Sequence, residues 1–104
     1  LVIGEKHIHV GDYLEMEYRL LNQDQKKSAS YRLEYAIYFL LKNGSHFKKV
    51  FKVREGQLQS QEGLNGKKKH SFKPITTRTY YKGIHKVSMI VNGKESESIE
   101  FELL

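Results

Sequence analysis

The sequence contains no cysteine and no tryptophan, and only one of its 104 residues is proline. Without cysteine there can be no disulfide and no thiolate metal site, a usage that fits a reducing compartment and leads us to expect a cytoplasmic protein. Long apolar runs are also missing. The longest, Tyr35–Leu41, is interrupted by two tyrosine hydroxyls and falls far short of the roughly 20 residues of a membrane helix. No signal-peptide pattern opens the chain, which starts at Leu1 rather than Met and reads as one domain of a longer protein. There is no G-x-S-x-G elbow, no Walker loop and no H-E-x-x-H pair. The usual platforms for nucleophilic, phosphoryl-transfer and zinc chemistry are therefore absent, and the domain is expected to be non-catalytic and to need no cofactor.

What is present is period-two alternation. Leu14, Met16, Tyr18 and Leu20 alternate with Glu15, Glu17 and Arg19, the pattern of a strand with one buried face. Leu33, Tyr35, Ile37, Phe39 and Leu41 define a long central strand whose other face (Ala36, Tyr38, Leu40) is also apolar. Asn43-Gly44 predicts a two-residue type I′ hairpin, and Phe47, Phe51 and Val53 mark the returning strand. Gln57–Gly66 reads as a loop or a weak strand. Lys68, His70 and Phe72 share one face of the next strand, which Pro74 is expected to end. His85, Val87, Met89 and Val91 form a further strand, Asn92-Gly93 a second hairpin, and Ile99, Phe101 and Leu103 a last strand. Lys6–Val10 is expected to be an edge strand. About seven strands with no helix predict an all-β, antiparallel, immunoglobulin-like sandwich. Tyr80 or Tyr81, just before the strand that starts near Gly83, is placed to make a tyrosine corner.

Charge is distributed unevenly. Between Lys42 and Lys86 there are twelve Lys/Arg against two acids, a local net of +10, whereas the remainder carries six bases and ten acids, a net of −4. Lys48, Lys52 and Arg54 are expected on one face of a strand, and Lys67, Lys69 and Lys73 on one face of another. If the two strands adjoin, these residues form a cationic stripe suited to salt-sensitive, sequence-independent contact with nucleic acid phosphates. Thr76, Thr77 and Arg78 would add phosphate hydrogen bonds, and Tyr80 or Tyr81 could stack on an unpaired base. The same lysines would serve equally to keep edge strands from pairing with other chains. Histidines His7 and His9 share a strand face, but three or four converging ligands are needed for zinc, and no metal site is expected.

The run Val50-Phe51-Lys52, then Lys69-His70-Ser71-Phe72-Lys73-Pro74-Ile75-Thr76-Thr77-Arg78, then Tyr81-x-Gly83-x-His85-x-Val87 and Val91-Asn92-Gly93 resembles the C-terminal extension of bacterial DNA alkylation repair proteins. In that family a helical HEAT-like-repeat domain of the alkylpurine DNA glycosylase type precedes a β-sandwich tail. The resemblance is sharpest over His70–Arg78, too irregular a stretch to arise from strand alternation. It implies that the chemistry belongs to the helical domain and that no catalytic residue carries over to this chain. It further implies a structural role for His70, Phe72, Pro74, Tyr81, Gly83 and His85. DNA and the N-terminal helical domain of the same parent are the expected partners, with no membrane contact and a monomeric isolated domain. An alternative is a docking domain that packs on the helical domain through the apolar face at Ala36, Tyr38 and Leu40 without touching DNA. An exported carbohydrate-binding sandwich would draw on the seven tyrosines, but the lack of tryptophan and of an export signal argues against it.

Overall fold

The computed structural model describes all of residues 1–104 and contains nine strands and no helix. Three are two-residue strands: β1 (Val2–Ile3), β2 (His7–Ile8) and β8 (Lys94–Glu95). The others are β3 (Tyr13–Leu21), β4 (Ala29–Leu40), β5 (His46–Leu58), β6 (Gly63–Ser71), β7 (Gly83–Val91) and β9 (Ile99–Leu103). One sheet has the order β1-β3-β6; the other runs β2-β9-β7-β4-β5, with β8 also on β7. The two face each other as an immunoglobulin-like sandwich. Pairing is antiparallel except between β2 and β9, which run parallel.

Alternation explains which side chains meet. In β3, Leu14 and Met16 are buried while Glu15 and Glu17 face water. In β4, Leu33, Tyr35, Ile37 and Phe39 enter the core, joined by Val87 and Met89 of β7 and Phe101 and Leu103 of β9. Fully burying one such side chain is worth roughly 1.5–3 kcal/mol, so this set is the main source of stability. The segment Gln57–Gly66, expected to be a loop or a weak strand, is strand at both ends with a short turn between. β5 continues to Leu58 because β4 offers it partners as far as Ala29, and β6 begins at Gly63 because β3 offers nine consecutive partners, from Tyr13 opposite Ser71 to Leu21 opposite Gly63. Polarity misled here because edge strands can be polar on every exposed face.

The two Asn-Gly turns differ. Asn92 and Gly93 have φ of 50° and 81°, the paired left-handed conformation of a type I′ turn. At Asn43-Gly44 only Gly44 is left-handed, with φ of 87°. The loop is three residues long, because Leu41 N–H donates to Ser45 O and Gly44 N–H to Leu41 O. The Asn43 side chain, which accepts from the Ser45 amide and hydroxyl at 3.0 and 2.6 Å, fixes that alternative.

The core is organised by rings. Phe72, with no exposed surface, touches Phe39, His70, Tyr80, His85 and Phe101 at centroid distances of 5.1–6.2 Å. Its backbone pairs with the β2–β3 connection: Phe72 N–H donates to Asp12 O at 2.9 Å and Gly11 N–H donates to Phe72 O at 3.0 Å. The corner expected of a tyrosine is made by a histidine instead. No hydroxyl bond forms at Tyr80 or Tyr81. His85 Nε2–H donates to Tyr81 O at 2.8 Å while Leu40 N–H donates to His85 Nδ1 at 3.1 Å. The bond accepted at Nδ1 requires the neutral ring, and burial pushes the His85 pKa down against the opposing pull of the bond to Tyr81 O.

Truncating Phe72 to alanine is expected to cost about 3–5 kcal/mol, a large share of a typical domain's stability, read as a lower urea midpoint with an unchanged slope. Acid should also weaken the fold through His70, whose pKa burial pushes from 6.5 down to about 4. Below pH 6.5 the unfolded chain takes up the proton and the folded one does not, so stability falls as pH drops from about 6.5 to 4, by at most on the order of 3 kcal/mol. In His70→Phe, urea midpoints measured across that window should lose much of this slope; an unchanged slope would assign it to other groups.

Candidate nucleic-acid interface

The expected cationic stripe divides between opposite sides of the sandwich. Lys67 and Lys69 lie on the outer face of the three-stranded sheet, directly across from Glu17 and Glu15. Their ammonium groups sit 3.6 and 3.4 Å from those carboxylates. Lys48 and Lys52 lie on the outer face of the other sheet, across from Tyr38 and Glu34. Arg54 does not share their face in regular alternation. Leu33 and Glu34 are adjacent yet pair with Arg54 and Lys52, so Val53 is an extra, bulged residue.

The outer face of the second sheet carries its own polar cluster. Glu95 takes Lys48 Nζ at 2.6 Å on one carboxylate oxygen and the Ser88 hydroxyl at 2.6 Å, with Tyr38 OH, on the other. These three donors hold the Glu95 pKa down at about 2. Ser88 and Ala36 are fully buried beneath this cluster although no further layer covers the sheet. The apolar patch expected at Ala36, Tyr38 and Leu40 is thus closed by Tyr38 itself. Lys52 and Arg32 both approach Glu55, at 3.2 and 3.7 Å.

Most other cations, Arg54, Lys73 and Lys86 among them, form no ion pair, and three of these unpaired ones, Lys49, Lys68 and Arg78, meet along the side of the sandwich where the sheets end in β5 and β6. The inner face of β5 presents Phe47, Lys49 and Phe51, opposite Phe39, Ile37 and Tyr35. That of β6 presents Lys68 and His70, opposite Met16 and Leu14. The Lys49 ammonium lies 5.4 Å from the Phe51 ring centre, and Phe51 and His70 are 4.8 Å apart. The Arg78 guanidinium caps Phe39 at 4.2 Å. His70 shares a 2.8 Å hydrogen bond with the Tyr35 hydroxyl. After burial, the positive charges of Arg78, Lys49 and Lys68 are what depress its pKa. A neutral imidazole thus lies among three cations, none of which forms an ion pair.

The β6–β7 connection carries the remaining expected residues. Ile75 and Arg78 bridge across a tight turn, closed by Arg78 N–H to Ile75 O at 3.4 Å, with Thr76 and Thr77 at its exposed tip. Neither threonine bonds the loop backbone. Lys73 and Pro74 are exposed, just past the end of β6. Gly83, at φ 136°, starts β7 with Leu40 packed where a Cβ would stand. His7 pairs with Glu102 at 3.2 Å, His46 Nε2 lies 2.9 Å from Ile84 O, and no three His, Cys, Asp or Glu side chains converge.

Lys49 and Lys68 were missed because alternation assigns them to inner faces. That placement was itself the signal: a lysine in phase with Phe47 and Phe51, or with His70 and Phe72, must lean out of an open edge.

This architecture recurs in known proteins. The chain is 38% identical over 104 residues to the uncharacterized protein YhaZ of Bacillus subtilis (strain 168), covering 99% of this chain and 28% of that protein. Its structure superposes with a TM-score of 0.92 and 26% identity on the alkylpurine DNA glycosylase AlkC of Pseudomonas fluorescens bound to DNA containing an abasic site analog, over 98% of this chain and 28% of the other. A β-glucosidase from Listeria innocua in complex with glucose matches at a TM-score of 0.79 and 13% identity, over 98% of this chain and 15% of that one, which shows the fold alone. The chain therefore spans little more than a quarter of the curated relative's length. Over residues 1–104 it matches the family described as uncharacterised protein YhaZ, C-terminal Ig-like domain, and it belongs to that family.

Proposed function

We propose that residues 1–104 are a single accessory domain, the C-terminal part of a cytoplasmic DNA alkylation repair protein. The domain is non-catalytic and adds a weak, salt-sensitive contact with DNA to that of an N-terminal helical domain. The observation that carries this reading is the convergence of Lys49, Lys68 and Arg78, none with a carboxylate partner, on the open β5–β6 side. The structural likeness to a glycosylase captured on DNA supports it. Cations already matched to carboxylates contribute less to a polyanion's affinity, because the acid opposes the phosphate at the same distance. Lys67 and Lys69 are in that position, whereas Lys49, Lys68, Arg78 and the exposed Lys73 are not. Tethering even a weak second contact to a first raises overall affinity through effective concentration.

A second reading, docking on the parent's other domain without touching DNA, is favoured by one feature. A groove of about 390 Å³ at the opposite side is lined by ten residues, six of them apolar, including Leu20, Leu33, Met89 and Val91, with Arg19, Lys94, Glu95 and Ser96 making up the rest.

Fluorescence anisotropy with a short duplex over a salt series separates the two. Binding should fall linearly in log–log with a slope of about −2 to −3, corresponding to about three neutralised phosphates. Lys49→Gln with Lys68→Gln should flatten that slope by about 1–2, whereas Lys67→Gln with Lys69→Gln should change it little. Conversely, Glu15→Gln with Glu17→Gln should tighten binding at low salt, by releasing the two paired lysines. No binding at low salt would favour docking.

A further inference from the structure

Phe47 has no structural account in the core. It stands on the inner face of β5 across from Phe39, yet it remains 50% exposed and has no aromatic partner of its own. Its neighbours are cationic. Lys49 follows two residues on along the same face, about 7 Å away at the usual strand rise. Arg78 caps the ring of Phe39, the residue directly opposite. Ile75, which bridges Arg78, is also 49% exposed. A lone exposed phenylalanine would need no explanation. One set among unpaired cations, at a margin where two sheets part, presents a half-exposed ring with no aromatic partner beside positive charge. That combination suits a nucleotide whose base is not occupied in a duplex stack, since a stacked base offers its faces to its neighbours.

We propose that the β5–β6 side takes an unpaired nucleotide, its base laid on Phe47 and its flanking phosphates held by Lys49, Lys68 and Arg78. The proposal rests on the DNA-binding reading above and names the form of DNA that this side selects. It gives the module a preference for strand interruptions, loops or extruded bases over intact duplex. No base-specific hydrogen bonding is involved, so discrimination among the four bases should be small. The acid-free surroundings matter as well: no carboxylate forms an ion pair with Lys49, Lys68 or Arg78, so a phosphate meets their charge undiminished. Acidic peptides are disfavoured, as they would satisfy the cations but leave the ring bare.

The test compares oligothymidine with a duplex of equal length, by anisotropy, for the unaltered protein, Phe47→Ala and Phe47→Leu. Leucine keeps the apolar mass and removes the π-face, so it controls for packing; thermal melts confirm that both variants fold. A single 2-aminopurine in the strand reports stacking through quenching. The expected result is tighter binding to the single strand, lost roughly tenfold in both variants, with quenching abolished and duplex affinity within about twofold. Equal losses on both DNA forms, or none on either, would overturn the inference and leave salt-sensitive duplex binding standing. Absence of binding to any oligonucleotide would overturn the underlying reading. Binding to anionic phosphatidylglycerol vesicles that depends on Phe47, without a single-strand preference, would reassign the patch to a lipid surface.

Discussion

Everything in this domain is hung on Phe72. Its ring is fully buried and contacts aromatic side chains from β4, β6, β7, β9 and the β6–β7 connection, so it couples the two sheets at one end. Edge-to-face ring pairs add about 0.5–1.5 kcal/mol each beyond their burial, and five of them converge here. Through its backbone the same residue fixes the β2–β3 connection, and through Tyr80 it anchors the far end of the loop that presents Arg78. The geometry of the cationic side is thus a product of core packing. Lys73, Pro74 and the Thr76–Thr77 tip are held from below and make few bonds of their own.

Strand register decides which charges are available. On the three-stranded sheet, the pairing that buries Leu14 and Met16 also places Glu15 and Glu17 across from Lys69 and Lys67. Each such exposed pair contributes about 0–1 kcal/mol to stability, too little to drive the fold. Its larger effect is to cancel charge on that face. The register of β4 on β5 does the opposite for Lys49, which is set across from Ile37 with no acid in reach. A similar separation appears in the histidines. His85 holds a corner by donating from Nε2 and accepting at Nδ1, and the accepted bond needs a neutral ring, while His70 is kept neutral by burial within a ring of cations.

Much of the fold was legible because alternation and burial are the same physical fact in a two-sheet protein. The core positions from Leu14 through Leu103 and the type I′ turn at Asn92-Gly93 follow from period two and turn chemistry, whereas the placement of β4 beside β7 depends on pairing between distant segments that no local pattern reveals. The short strands β1 and β8 were not legible, since two residues carry no period. The Gly63–Lys67 stretch was obscured because its partner, not its own composition, makes it a strand. The site was legible in chemistry but not in place. A linear count of lysines cannot reveal that two clusters face opposite directions, or that a bulge at Val53 shifts Arg54 out of phase. Nor can it show that Glu15 and Glu17, fifty residues away in sequence, are the natural partners of Lys69 and Lys67. Within the segment His70–Arg78 that carries the family resemblance, Arg78 is the residue that joins Lys49 and Lys68 around His70.

Asn22 has a mechanical consequence. Its buried side-chain amide donates to the carbonyls of Lys27, Leu58 and Gln59, while its own N–H donates to Glu62 O. It therefore laces together the β3–β4 and β5–β6 crossings at one end of the sandwich, as Phe72 laces the opposite end. With both ends tied by buried contacts and the β5–β6 side closed by the Tyr35–His70 hydrogen bond, prying the sheets apart at either corner must first break one of these buried clasps, which places end fraying among the costlier motions of the domain.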